Sequence, residues 1–251
     1  MLTRLLGLPD DPLTIFLALC IGGVVYFMVL AAISYLLLFV ALKKRYHPDY
    51  VADPADIRRS IKWSIISIVG NAVLTAPIHW AIAQGYSQIY WEVGDYSWGW
   101  MALSALLVLV ITETAIYWIH RWLHADFLFR HVHTTHHSFR VTTSWAGVAF
   151  NPLDSFAQAL PHHLCAFLFP MHIGLYLFFV AFVTLWAVLI HDRVTLVRWD
   201  FINYTGHHTL HHWYSDYNFG QFFTVWDKLM GTWRSPDDAR DEVPKVVMAA
   251  S

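Results

Sequence analysis

The sequence predicts an all-α protein that crosses a lipid bilayer about four times. Three observations carry this reading. Apolar residues make up 57% of the 251 residues and charged residues only 14%, where a soluble domain carries about 25% charged residues. The mean hydropathy of +0.44 points the same way. The apolar residues are also gathered into long runs separated by short polar segments, the pattern of spanning helices.

The first run, Leu13 to Leu42, contains no Asp, Glu, Lys, Arg or His. A helix of that length rises about 45 Å, more than the ~30 Å hydrocarbon core, so it spans with tilt or overhang. The apolar part of a secretion signal runs only about 7–15 residues, which argues against that alternative. Residues 43–62 carry Lys43, Lys44, Arg45, Arg58, Arg59 and Lys62. A short basic segment beside a span belongs in the cytosol. The N-terminal residues, with Arg4 against Asp10 and Asp11, therefore face the other side.

A second span is expected from about Trp63 to Ala83. The loop from Gln84 to Gly99 has no Lys or Arg and is rich in Tyr and Trp, which suits the non-cytosolic interface. A third span, about Trp100 to Ile119, returns to the cytosol. Leu153 to Ile190 is too long for one span and reads as a helical hairpin turning near Pro170. The chain divides into residues 1–112 (membrane helices and basic loop), 113–236 (the region that holds the histidine clusters) and 237–251 (polar tail). Cys20 and Cys165 sit in apolar runs and read as small buried hydrophobes. The net charge of −2 offers no basic field for a nucleic acid.

Histidine supplies the functional signal. Of 16 histidines, six fall between His120 and His137 and four between His207 and His212. His120 and His124 stand at i and i+4, on one helix face. His133, His136 and His137 form a second box at i, i+3 and i+4, and His208, His211 and His212 a third, so each box can offer three imidazoles to one region. A structural zinc needs four ligands, so eight nitrogens argue for two metal ions held in a histidine-rich cytosolic cap. His191, at the cytosolic end of the hairpin, is a candidate further ligand, and so is His207. His131 breaks the spacing and reads as a surface residue. His47, His79, His162, His163 and His172 read as interfacial or structural.

Glu113 and Tyr117 lie on one helical stripe with His120 and His124. A metal-bound histidine usually donates its second N–H to a carboxylate or carbonyl, which makes Glu113 the candidate partner beneath His120, with Tyr117 beside it. Asp192 and Asp227 could serve the same purpose. An all-imidazole site suits iron, zinc, copper or nickel. No GxSxG element for ester hydrolysis is present, and a pair of irons suits O2 activation. A histidine-rich metal transporter is a competing reading, but its ligands would line a path through the bilayer, whereas these boxes collect at the ends of spans.

The order HX3H, HX2HH, HX2HH resembles the fatty acid hydroxylase and sterol desaturase superfamily. Asn151-Pro-Leu-Asp154, Gln158-Ala-Leu-Pro161, Phe169-Pro170, Trp186 to Asp192 and Phe201 to Trp233 resemble its sterol C5-desaturase branch. The likeness runs from about Glu113 to Pro236. It implies four membrane helices, two non-haem irons in a cytosolic cap, and O2 as oxidant. Electrons would come from NAD(P)H through a carrier such as cytochrome b5 or ferredoxin. It implies removal of two hydrogens from ring B of a Δ7 sterol, with hydroxylation of a fatty acid or other lipid as the alternative on the same site. The membrane would be the endoplasmic reticulum in a eukaryote or the cytoplasmic membrane in a bacterium. By the same likeness His120, His124, His133, His136, His137, His208, His211 and His212 are the iron ligands. His191 falls in the branch's His-Asp element and His207 in the paired histidines of its last box. Two departures stand out: Asn151 where the branch usually has His before Pro, and Val148 where it usually has another His. Among the aromatic residues, Trp145, Phe150, Trp213, Tyr214, Phe219 and Phe222 are candidates to line a substrate tunnel.

Overall fold

Three Asx-Pro pairs set where three of the long helices begin. In the computed structural model, which describes residues 2–238 and the pair Val247–Met248, Asp11, Asp53 and Asn151 are each an N-cap followed by proline at the first helical position. Asp11 Oδ1 accepts from the backbone N–H groups of Leu13 and Thr14, both at 3.0 Å. Asp53 Oδ1 accepts from Ala55 at 2.8 Å, and Asn151 Oδ1 from Leu153 at 3.0 Å. These side chains satisfy N–H groups that a helix start leaves unpaired, and proline lacks one of them.

The resulting elements are α1 (Pro12–Tyr35, continued by a π-helical turn, Leu36–Ala41), α2 (Pro54–Ala83), α3 (Trp98–Leu123), α4 (Thr134–His137, entered through a π-helical turn, Phe129–His133), α5 (Pro152–Leu168), α6 (Ile173–Ile190), α7 (Thr205–Tyr214) and α8 (Val225–Met230). Four are long and apolar enough to cross a membrane: α1 with its extension, α2, α3 and α6. The protein is a multi-pass membrane protein. α5 and α6 form the expected hairpin. Its turn is fixed by a parallel pairing of Ile89–Tyr90 with Met171–His172, and His172 Nδ1 accepts from Gly174 N at 3.1 Å. α2 begins nine residues before the expected Trp63 because Asp53-Pro54 nucleates it inside the polar segment. α3 likewise runs past Ile119 and carries His120 in its last turn.

The lipid-facing side is legible along α1. Leu13, Leu17, Ile21, Val25, Val29 and Ile33 recur every fourth residue and are all exposed. Phe27, Ala31 and Ser34 on the other side are buried. α2 lies between α1 and α5, and α5 also packs on α3 and α6. One end of the bundle is closed by Val108, Cys165, Ala166, Met171 and Tyr176. At the other end the last turns of α3 and α6 meet α4 and α7. The basic segment lies at this same end: Arg59 Nη1 donates to Ser138 Oγ at 2.8 Å, and Arg193, just past α6, lies 5.9 Å from the Tyr50 ring. Both cysteines are free thiols. The tail from residue 237 lies mostly outside the described residues.

Candidate metal centre

The end of the bundle where α3, α4, α6 and α7 converge gathers nine histidines into two groups. His120, His124, His133, His137 and His211 form one; His136, His191, His208 and His212 form the other. Within each group every residue brings one ring nitrogen within 4.8 Å of all the others. Helix geometry divides the boxes. His133 and His137, one turn apart, face the first group, and His136 faces the second. On α7, His208 and His212 face the second group and His211 the first. The adjacent pairs His136–His137 and His211–His212 thus each serve both groups, where the spacing alone suggested that a box serves one. The π-helical turn Phe129–His133 gives α4 the register that this division requires.

The ring nitrogens have the arrangement of a donor set. In the second group Nε2 of His191 lies 3.3 Å from that of His136, 3.0 Å from that of His208 and 3.2 Å from that of His212, and His208 and His212 are 3.1 Å apart. Imidazoles about 2.0–2.1 Å from one shared ion stand about this far from each other. In the first group Nε2 of His124, His133, His137 and His211 is buried and has no hydrogen-bond partner. Each such orphan costs about 1–3 kcal/mol, which a bound cation would offset. Burial, reinforced by neighbouring histidines, holds His124, His136, His137, His208, His211 and His212 well below the usual imidazole range. Burial lowers His191 to about 4. Burial thus favours the neutral form of these seven rings, the form that binds metal. The residues fit two cations held by nitrogen alone.

Four of the opposite ring edges are fixed by hydrogen bonds. His133 Nδ1 donates to Asp154 Oδ2 at 2.6 Å, both side chains fully buried. Nδ1 of His120 donates to the Phe219 carbonyl at 2.9 Å, of His191 to Ala187 at 2.6 Å and of His211 to Tyr217 at 2.7 Å. Asp154 was not among the carboxylates that sequence spacing singled out. The signal was present: Asp154 is the sole acidic residue between Leu153 and Ile190, and a carboxylate in such an apolar stretch marks a functional contact.

Glu113 does not touch His120. Its carboxylate accepts from Phe222 N and Phe223 N, each at 3.0 Å, because the strap 217–223 packs across that face of α3. Asp227 holds the same strap by accepting from Phe219 N and Gly220 N at 2.8 Å. Tyr117 also misses the rings. Its hydroxyl bonds Thr232 Oγ1 at 2.9 Å, and Thr232 in turn donates to Asp227 at 2.7 Å. These residues position the carbonyls that hold His120 and His211. Asp192 Oδ1 accepts from Val194 N at 2.8 Å and orients no histidine in either group.

His207 lies outside both groups. It is turned about 100° around α7 from His208, toward Trp233 at 6.3 Å between ring centroids. The side-chain oxygen of Asn151 is occupied as the cap of α5, accepting from Leu153 N at 3.0 Å. His131 is exposed. His79, His163 and Tyr176 form a separate buried contact, with His163 Nδ1 2.6 Å from the Tyr176 hydroxyl.

A cavity of about 200 Å³ runs from the histidines into the membrane-spanning helices. His120, His136, His191 and His208 form its inner end, and Val180, Val183 and Ala187 of α6 line an apolar wall. Phe150 and Phe219 of the expected aromatic residues line it; Trp145, Trp213, Tyr214 and Phe222 do not. The reactive end of a long apolar molecule can reach the nitrogen-lined end while the rest stays among the spans.

Comparison with known proteins agrees with this architecture. Residues 105–232, which contain all nine histidines, match the fatty acid hydroxylase family. A Delta(7)-sterol 5(6)-desaturase of Gibberella zeae is 35% identical over 229 residues, covering 90% of this chain and 70% of the relative. Lathosterol oxidase of Homo sapiens is 35% identical over 230 residues, covering 89% of this chain and 76% of the relative. A Delta(7)-sterol 5(6)-desaturase of Candida albicans is 37% identical over 232 residues, covering 91% of this chain and 59% of the relative. No solved structure matches the chain. With half the chain inside the family match and about nine-tenths aligned to these enzymes, the chain belongs to the fatty acid hydroxylase family and is an oxidoreductase.

Proposed function

We propose that the protein is a di-iron, O2-dependent sterol desaturase that introduces the C5 double bond into a Δ7 sterol. The observation that carries the reading is the cavity joining the histidine groups to the membrane interior. Its supports are the two all-nitrogen donor sets and the relatives named as Delta(7)-sterol 5(6)-desaturase and lathosterol oxidase. His120, His124, His133, His137 and His211 would hold one iron, and His136, His191, His208 and His212 the other. Bound there, the iron pair supplies reduction of O2 and an oxidant able to break an unactivated C–H bond. The overall change balances as loss of two hydrogens from the sterol, with O2, two donor electrons and two protons, to give the diene and two waters.

The chain's own residues supply position and protection. The apolar wall of α6 holds the ring system against the nitrogen-lined end and keeps bulk water away. Asp154, through His133, and the strap carbonyls of Tyr217 and Phe219 keep the rings in one tautomer and one orientation. Placement of the reacting carbon decides between loss of a second hydrogen and oxygen rebound.

The basic segment at the histidine end favours a cytosolic site. Electrons would arrive from a carrier such as cytochrome b5 or ferredoxin on that side. The test incubates membranes holding the protein with a Δ7 sterol, O2, NADH and a reductase system. The expected product is lighter by two hydrogen masses and is absent with His208→Ala. A product heavier by one oxygen would overturn desaturation in favour of hydroxylation.

A further inference from the structure

An apolar cavity among lipid-facing helices gains little by being apolar. A sterol leaves a bilayer that is already hydrocarbon, so burial of its rings barely distinguishes the cavity from the lipid. Recognition has to come from polar groups, and the polar group that defines a sterol is its hydroxyl on ring A. Carbon C3, which bears it, and carbon C5 share a single neighbour, C4. A sterol presenting ring B to the histidines must therefore place its hydroxyl close to them.

The cavity holds a group suited to that hydroxyl. Asn71 lies midway along α2, within a membrane span, and lines the cavity. Its side-chain Oδ1 is buried and has no hydrogen-bond partner. Its height in the bundle is set by its neighbour: a Cβ at Gly70 would lie 2.5 Å from Pro152, so α2 presses here against the start of α5. That is the level of Asp154, which holds His133, and one turn from Gln158, which donates to Asp154 Oδ1 at 2.7 Å and also lines the cavity. His163, by contrast, lies nine residues along α5 from Asp154, about 13 Å deeper, too far to serve a group this near the reacting carbon.

We propose that Asn71 binds the ring-A hydroxyl of the sterol and thereby sets which ring carbons face the two histidine groups. The hydroxyl both donates and accepts, so it satisfies either end of the carboxamide. Asn71 is a specificity-determining residue on this account, and the inference rests on the sterol reading above. A site built around a hydroxyl rejects the analogue that lacks it because its own polar group is then left unpaired.

The test measures binding and turnover together. Purified, iron-loaded protein in phosphatidylcholine nanodiscs is titrated with a tritiated Δ7 sterol and with its 3-deoxy analogue, and KM and kcat are taken for both with O2, NADH and a reductase system supplied. The wild type is expected to bind the hydroxylated sterol about 10- to 100-fold more tightly. In Asn71→Leu, and in Asn71→Ala as a second variant, that preference should fall to within about 3-fold, with KM for the 3-deoxy analogue hardly changed. If the wild type oxidises the sterol but shows no preference, or if both variants keep it, the hydroxyl assignment is overturned and the sterol reading stands. If the wild type neither binds nor oxidises any Δ7 sterol, the sterol reading fails and takes this assignment with it.

Discussion

Asp154 is fully buried against a fully buried histidine, 2.6 Å away. Its two oxygens accept from His133 and from Gln158, and its work is to fix the His133 ring. Asp154→Asn keeps the shape and removes the charge. Metal affinity or turnover should then fall about 10- to 100-fold, read as iron retained after dialysis and as kcat, while the helical circular dichroism stays unchanged. Equal iron retention together with an unchanged kcat in the variant would show that the contact is only structural. Sequence spacing pointed to Glu113 in this role because it shares a helical stripe with His120. The periodicity correctly placed Glu113 on that face, but it carried no information on the strap that crosses the face and takes up the carboxylate. His207 failed for a simpler reason: pairing in sequence is not pairing on a helix face.

At the scale of elements, the histidine boxes depend on irregular pieces around them. The strap 217–223 is held by Glu113 and Asp227 and gives two carbonyls to His120 and His211. Gly220 is the tight point. A Cβ there would run into the Phe223 carbonyl and lie 3.0 Å from Asp227 Oδ2. Gly220→Ala should displace the strap and lower kcat about 10-fold or more, since small misplacements near a reacting centre have effects of this size. The spans should be left intact, as judged by thermal unfolding. Unchanged kcat would show that the strap does not position the rings. The spans and the hairpin were legible because long apolar runs are local signals, while the start of α2 was missed because the Asp53-Pro54 cap lies inside the polar segment. The sharing of His136–His137 and of His211–His212 between the two groups was not legible, since it depends on how α4 enters through its π-helical turn and on how α4 and α7 face each other.

At the scale of the whole molecule, α1, α2, α3 and α6 are long and apolar enough to cross a membrane, and the histidines sit where α3, α4, α6 and α7 meet. The cavity between α2, α3, α5 and α6 joins the two environments. This layout lets a molecule that lives in lipid reach a nitrogen-lined centre without crossing water. The central claim is that nine histidines make two separate ion sites, and a metal count tests it most directly. Protein purified after iron loading should hold about two irons per chain, as expected of five and four imidazole ligands in place of the four that serve one ion. The pairs His124→Ala with His211→Ala, and His191→Ala with His208→Ala, should each leave about one. A wild-type ratio near one, or a paired variant that keeps both ions, would contradict the account.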